Sequence, residues 1–160
     1  MMVPLANSDL SAEIDDEFAD IVLSRSWRVM FDKRLGRHTY VYTSPPDGSK
    51  GAVMLHTFLF GKAPRGLVTD HIDGNALNNK RSNLRHCAPA ENSWNSKVRR
   101  DSKSGMKGVM CESIGHTKKW RATVVCKGVK HRKYFANAEQ ANEWAKAKRK
   151  ELHGAFSRHA

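Results

Sequence analysis

Apolar and polar positions alternate through "WRVMF" and "RHTYVYTS", two β-rich runs separated by "DKRLG" and closed by the turn-forming "PPDGSKG". That pattern predicts a hairpin. The next run, "AVMLHTFLFG", is apolar enough for a buried helix or strand, and Gly61 with Pro64 ends it. Upstream, "AEIDDEFADIVLS" at 12–24 fits a short acidic helix or a strand and turn, and its periodicity leaves both open. From Gly66 onward the order reads strand, loop, strand, helix. "GLVTDH" is an apolar lead-in, Asp73-Gly74 opens a turn-rich middle, "LRHCA" is a second strand, and Pro89 with Glu91 behind it marks a helix start.

The second half begins with "KVRRDSKSGMK", whose serines, glycine and cations have the composition of a linker that can also lie along phosphates. Beyond it, "GVMCESIG", "KKWRATVVCKG" and "VKHRKYFA" are three β-type runs joined by turn residues, which predicts an antiparallel meander. Asn137 with Gln140 forms a capping box ahead of helix formers at 138–152, and Gly154 stops the helix. Ala141, Trp144, Ala145, Lys148 and Leu152 share one face, so Trp144 is expected to pack the helix onto the sheet. Lys146, Lys148, Arg149 and Lys150 read as a solvated helix surface.

Composition narrows the function. The chain has 160 residues, a hydrophobic share of 39% and a net charge of +12, which suits small modules better than one large core. Charge is unevenly spread: residues 1–24 carry six acids and no Lys or Arg, leaving +18 on the rest, and residues 97–160 hold 17 Lys/Arg against five Asp/Glu. A density of that kind suits a polyanion, because each neutralised phosphate releases counterions. No apolar run approaches the roughly 18 residues of a membrane span and no basic flank precedes one near the start, so a cytoplasmic location without a membrane partner is expected. Cys87, Cys111 and Cys126 form no C-x-x-C pair and are expected to be reduced and mostly packing residues.

The stretch "VTDHIDGNALNNKRSNLR" at 68–85 holds the chemistry. His71, Asn83 and Asn92 lie at offsets of 12 and 21, and Asp70 precedes the histidine directly. A cation here would take hard oxygen donors, the Asp70 carboxylate and the Asn92 side-chain carbonyl, with water and a phosphate completing the sphere. Mg²⁺ suits that short list. His71 is placed to act as general base toward water. Asn83 is better suited to hold the histidine segment across the loop, while Asn75, Asn78 and Asn79 read as turn formers, with Asn79 a further candidate brace. His56 is taken as structural.

"DHIDGNALNNKRSNLR" followed by "ENSWN" resembles the Asp-His…Asn…Asn form of the HNH endonuclease ββα-metal motif, as in phage and intron homing endonucleases, over residues 54–96. The resemblance implies that His71 activates water, that Asp70 and Asn92 bind a single Mg²⁺ or Mn²⁺ ion per site, that Asn83 completes the catalytic set as a brace, and that the products carry 5′-phosphate and 3′-hydroxyl ends. Residues 104–156, with Lys107-Gly108-Val109, Trp120-Arg121-Ala122, Tyr134-Phe135, Trp144 and His153-Gly154-Ala155-Phe156, resemble the Apetala/ethylene-response-factor (AP2/ERF) type DNA-binding domain. Arg132-Lys133 departs from that family's usual Leu-Gly, so no base preference carries over.

The expected fold is α+β: a small α+β nuclease unit carrying the ββα-metal motif, then a three-stranded antiparallel sheet packed on one helix. The expected divisions are an acidic segment at 1–24, a nuclease domain at 25–96, a basic linker at 97–104 and the DNA-binding domain at 105–156. Strand alternation puts Lys119, Arg121 and Thr123 on one face and Trp120, Ala122 and Val124 on the other. Expected DNA contacts are Lys97, Arg99, Arg100, Lys103, Lys107, Lys119, Arg121, Thr123, Arg132 and Lys133. The reading is a homing-type endonuclease acting on double-stranded DNA as a monomer or homodimer; the competing class is a non-catalytic DNA-binding regulator.

Overall fold

A computed structural model describes residues 1–32, 37–98 and 101–157, so the expected turn at 33–36 lies outside the described residues. The chain divides into two units, Met1–Pro89 and Ala90–Ala160.

In the first unit, β1 (Met2–Leu5) and β2 (Ser8–Glu13) form an antiparallel hairpin. The 12–24 stretch resolves into both of its alternatives: the end of β2, a 3-10 turn at Asp16–Phe18 and a short helix α1 (Ala19–Leu23). β3 (Arg28–Asp32) and β4 (Arg37–Thr43) make the predicted hairpin, and β5 (Val53–Met54) adds to β4 before the chain turns into α2 (Leu55–Phe60). β6 (Val68–His71) and β7 (Leu84–Cys87) form a separate antiparallel pair.

The acidic segment is part of this unit's interior. Val3, Leu5, Ala12, Ile14 and Val22 share a core with Trp27, Val29, Val41, Leu55 and Leu59. Alternation explains why an acidic sequence can do this: its apolar residues face inward at every second strand position while Asp and Glu stay outside. Trp27 is buried with its indole N–H satisfied by the Val22 carbonyl at 2.8 Å, and Phe58 of α2 meets its ring edge-on at 5.6 Å. Asn7, in the β1–β2 turn, both donates to and accepts from the Val29 backbone at 2.9 and 2.8 Å, which seats the hairpin against β3.

The second unit holds α3 (Pro89–Trp94) from Ala90 onward, then β8 (Val109–Ile114), β9 (Thr117–Cys126), β10 (Val129–Phe135) and α4 (Ala138–His153). The three strands are antiparallel in the order β10-β9-β8. Asn137 caps α4 by accepting from the Gln140 N–H at 2.9 Å. Val109, Ala122, Val124, Ala141 and Ala145 form the core, with Trp120, Phe135 and Trp144 packed around it, so small residues let helix and sheet approach closely. Gly108 permits another close approach: its φ is +70°, its carbonyl accepts from Thr123 N–H at 2.8 Å, and a Cβ there would sit 2.5 Å from the Thr123 oxygen.

Two expectations are corrected. The buried stripe of α4 is Ala138, Ala141, Ala145, Arg149 and His153 rather than one through Lys148. Arg149 is therefore interior, donating to the Lys107 carbonyl at 2.8 Å, and burial pulls its guanidinium below the ordinary arginine value. Lys133 lies opposite Ala122 with its ammonium 5.6 Å from the Phe135 ring, so it belongs to the helix side of the sheet and not with Arg121. The end of α3 is held within this unit: Trp94 stacks on His153 at 4.3 Å, and the Lys107 ammonium donates to the carbonyls of Trp94 and Ser96 at 2.6 and 2.5 Å.

Candidate active site

The β6–β7 register sets Asp70 opposite Arg85 and His71 opposite Leu84. Arg85 donates to Asp70 Oδ2 through Nε at 2.9 Å and Nη2 at 2.8 Å, with the carboxylate 5% exposed. A buried carboxylate needs such a partner, because an uncompensated charge there costs several kcal/mol. Arg85 was not among the expected site residues. No local pattern announces it, because residues 72–83 separate the two strands and the register across that loop is set by the fold.

His71 is 7% exposed. Its Nε2 lies 3.2 Å from Asn79 Oδ1, and the ring of His56 meets it edge-on at 5.5 Å, with Tyr40 5.6 Å from His56 on the other side. Burial lowers the His71 pKa below the ordinary histidine value, against the opposing pull of the Asn79 bond, Asp73 and Asp70. The ring is thus neutral near pH 7, the form a base requires. Burial, and then the neighbouring His71, push His56 down to about 4.

The loop between the strands is held by its own side chains. Asn83 Oδ1 accepts from Asp73 N–H at 3.0 Å, and its Nδ2 donates to Asp73 Oδ1 at 2.9 Å and to the Asn78 carbonyl at 2.8 Å. Asp73 also takes the Asn75 N–H at 2.8 Å and the Asn78 amide at 2.8 Å; although burial raises its pKa, these bonds together outweigh that and lower it. Asn75 and Asn78 act as turn residues, Asn75 accepting from Leu77 N–H at 3.2 Å. Asn79 departs from that group, at 1% exposure and against the histidine.

Asn92 is half-buried on α3, in the second unit. Among the described residues no group of three or more His, Cys, Asp or Glu could hold a metal, so a nitrogen- and sulfur-rich zinc set is not what these residues offer. The Asp70 carboxylate is by its chemistry a hard oxygen donor of the kind a divalent ion takes.

On the sheet, Arg121 and Thr123 face away from the core formed by Ala122 and Val124, and Arg132 pairs with Thr123. Arg121 is engaged by Glu112 at 2.6 Å. Lys97, Lys103, Arg121, Lys130 and Arg132 are among the residues lining a cleft of about 850 Å³ in this unit. Lys107, expected on DNA, has its ammonium on the carbonyls of Trp94 and Ser96. Arg99 and Arg100 lie outside the described residues. Cys87 and Cys126 are buried and Cys111 exposed, all three as free thiols.

Residues 56–94, from the histidine that backs His71 to the tryptophan that ends α3, match the sequence model of the HNH endonuclease family. The chain is 40% identical over 98 residues to Protein 3.8 of Escherichia phage T7, a match covering 61% of this chain and 79% of that protein. The chain contains an HNH endonuclease domain. It is also 35% identical over 129 residues to a protein of Acanthamoeba polyphaga mimivirus named as an uncharacterized HNH endonuclease, covering 77% of this chain and 63% of that protein, so it spans less than two thirds of that relative. No solved structure matches. The HNH domain thus contains both the Asp70–His71 pair and the asparagine-rich loop that holds it. No helix among the described residues is long and apolar enough to cross a membrane.

Proposed function

We propose that this HNH protein is a divalent-metal-dependent endonuclease that hydrolyses phosphodiester bonds of double-stranded DNA, of the homing type, with an AP2/ERF-like carboxy-terminal module that grips the duplex. The observation that carries the reading is the buried, neutral His71 beside the ion-paired Asp70 inside the segment that matches the family. In this reading His71 takes a proton from the attacking water. Asp70 and Asn92 would hold one Mg²⁺ or Mn²⁺ ion, which supplies charge stabilisation for the phosphate and its leaving oxygen. Asn83 keeps the loop closed behind the base, and cleavage leaves 5′-phosphate and 3′-hydroxyl ends.

Lys97, Lys103, Lys119, Arg121, Thr123 and Arg132 would contact DNA, the arginines reading base edges or phosphates from the uncovered sheet face. The homing assignment is supported by the pairing of a nuclease segment with a basic sheet module and by relatives in a phage and a giant virus.

The test is cleavage of supercoiled plasmid carrying the native locus, in Mg²⁺, Mn²⁺ or EDTA, beside His71→Ala. Wild type converts the plasmid to nicked or linear forms only with metal, and His71→Ala reduces the rate by at least about a hundredfold. Binding without cleavage in either metal would replace this reading with that of a DNA-binding regulator.

A further inference from the structure

Asn79 is among the largest fully buried side chains of the protein, while Asn75 and Asn78 of the same loop serve turns at its exposed side. Both ends of its amide are used. Nδ2 donates to the Ala76 carbonyl at 3.1 Å, and Oδ1 lies 3.2 Å from His71 Nε2. A backbone carbonyl only accepts, so the first bond fixes which end of the amide is nitrogen and turns the oxygen toward the ring. An amide oxygen also only accepts. The neutral imidazole must therefore carry its proton on Nε2 and its lone pair on Nδ1.

The amide is seated from outside the loop. Asn79 N–H donates to the Glu13 carbonyl at 2.7 Å, and Glu13 N–H donates to the Leu77 carbonyl at 2.7 Å, a short parallel bridge between the end of β2 and the loop. Just beyond it Lys80 pairs with Glu13 at 2.6 Å, and Arg81 N–H donates to Asp15 Oδ2 at 2.7 Å. The bridge is backbone to backbone, so it sets the position of the Asn79 Cα whatever the side chain.

We propose that Asn79, seated on the backbone of Glu13, is a positioning residue that holds His71 as the Nε2–H tautomer and so makes Nδ1 the proton-accepting nitrogen. This rests on the reading of His71 as the base. A neutral imidazole accepts a proton only at its unprotonated nitrogen, so the wrong tautomer is inactive whatever the ring's geometry. The N-terminal hairpin, remote in sequence from the HNH segment, is on this account part of what orients its base.

The test is long-range ¹H–¹⁵N NMR on the full chain labelled at histidine nitrogen, without metal and above pH 7, with His71 assigned by its loss in His71→Gln. Wild type shows His71 protonated at Nε2, and the nearly isosteric Asn79→Leu shows a mixture of tautomers. Asn79→Leu lowers kcat for plasmid cleavage by about tenfold or more while KM stays within about twofold. Asn79→Asp keeps an acceptor, retains the Nε2–H form, and moves the acid limb of the kcat profile to higher pH, because a carboxylate favours the imidazolium. An Nδ1–H or mixed wild-type ring overturns the proposal without recourse to any variant, as does an Asn79→Leu protein that keeps the wild-type tautomer. A wild type with the expected tautomer that cuts no DNA overturns the nuclease reading and leaves the tautomer assignment in place.

Discussion

His56 and His71 stand ring to ring in the interior of the first unit, and each is held neutral chiefly by burial. For a histidine whose folded pKa is depressed, the unfolded chain binds the proton more tightly, so the stabilisation is full above pH 6.5 and is lost as pH falls toward the folded value. For His56 that window runs from 6.5 down to about 4, which amounts to about 3 kcal/mol. Urea unfolding of the metal-free protein at pH 7, 5.5 and 4.5 should therefore give steadily lower stability. His56→Phe should flatten the slope, and His71 should keep part of it. A wild-type stability independent of pH across that range would show that neither ring is buried as described. His56, read from the sequence as structural, backs the candidate base directly.

Among the elements, the sheet of the second unit depends on one residue for its closest approach. Gly108 combines a left-handed φ of +70° with a Thr123 oxygen where a Cβ would be, so Gly108→Ala meets two penalties at once. It should cost about 2 kcal/mol or more in chemical unfolding. Gly105→Ala shares the left-handed backbone, φ +64°, but meets nothing within 4 Å. It should cost about 1 kcal/mol, and equal losses at the two positions would mean that the approach of Gly108 to Thr123 does not matter. Strand alternation placed Trp120, Ala122 and Val124 toward the core, and they do pack there. Arg132 and Lys133 are adjacent, so only one of them can share the face of Arg121, and it is the β9–β10 register, which a single strand's periodicity does not carry, that sets Lys133 opposite Ala122.

For the whole protein, charge separates along the chain: the acidic start folds into the first unit, and 17 of the 28 Lys and Arg lie in residues 97–160. Full-length protein should bind duplex DNA with a log affinity that falls linearly with log salt, with a slope steeper than about −3, measured by anisotropy in EDTA. Arg121→Ala with Arg132→Ala should make the slope shallower by about 1 to 2. An unchanged slope would remove the sheet face from the interface. Lys133→Ala, on the helix side, should leave it as it was.

Local signals carried much of this. The Asp-His pair, the Asp73-Gly74 turn, the Asn137 cap and the three β runs are short-range patterns, in which neighbouring residues decide backbone geometry through sterics and local hydrogen bonds. The HNH domain was readable for the same reason, since its motif is contiguous. Arg85 beside Asp70, Asn79 against His71, Glu13 beneath Asn79 and Arg149 inside the helix packing were decided by the folded chain. Each depends on which residues meet across strands or on how far a helix rotates against its sheet. The asparagines at 75, 78, 79 and 83 are chemically identical; Asn79 and Asn83 are both buried, and which of them meets the histidine is decided by the tertiary structure, because a polar group removed from water must find a partner there.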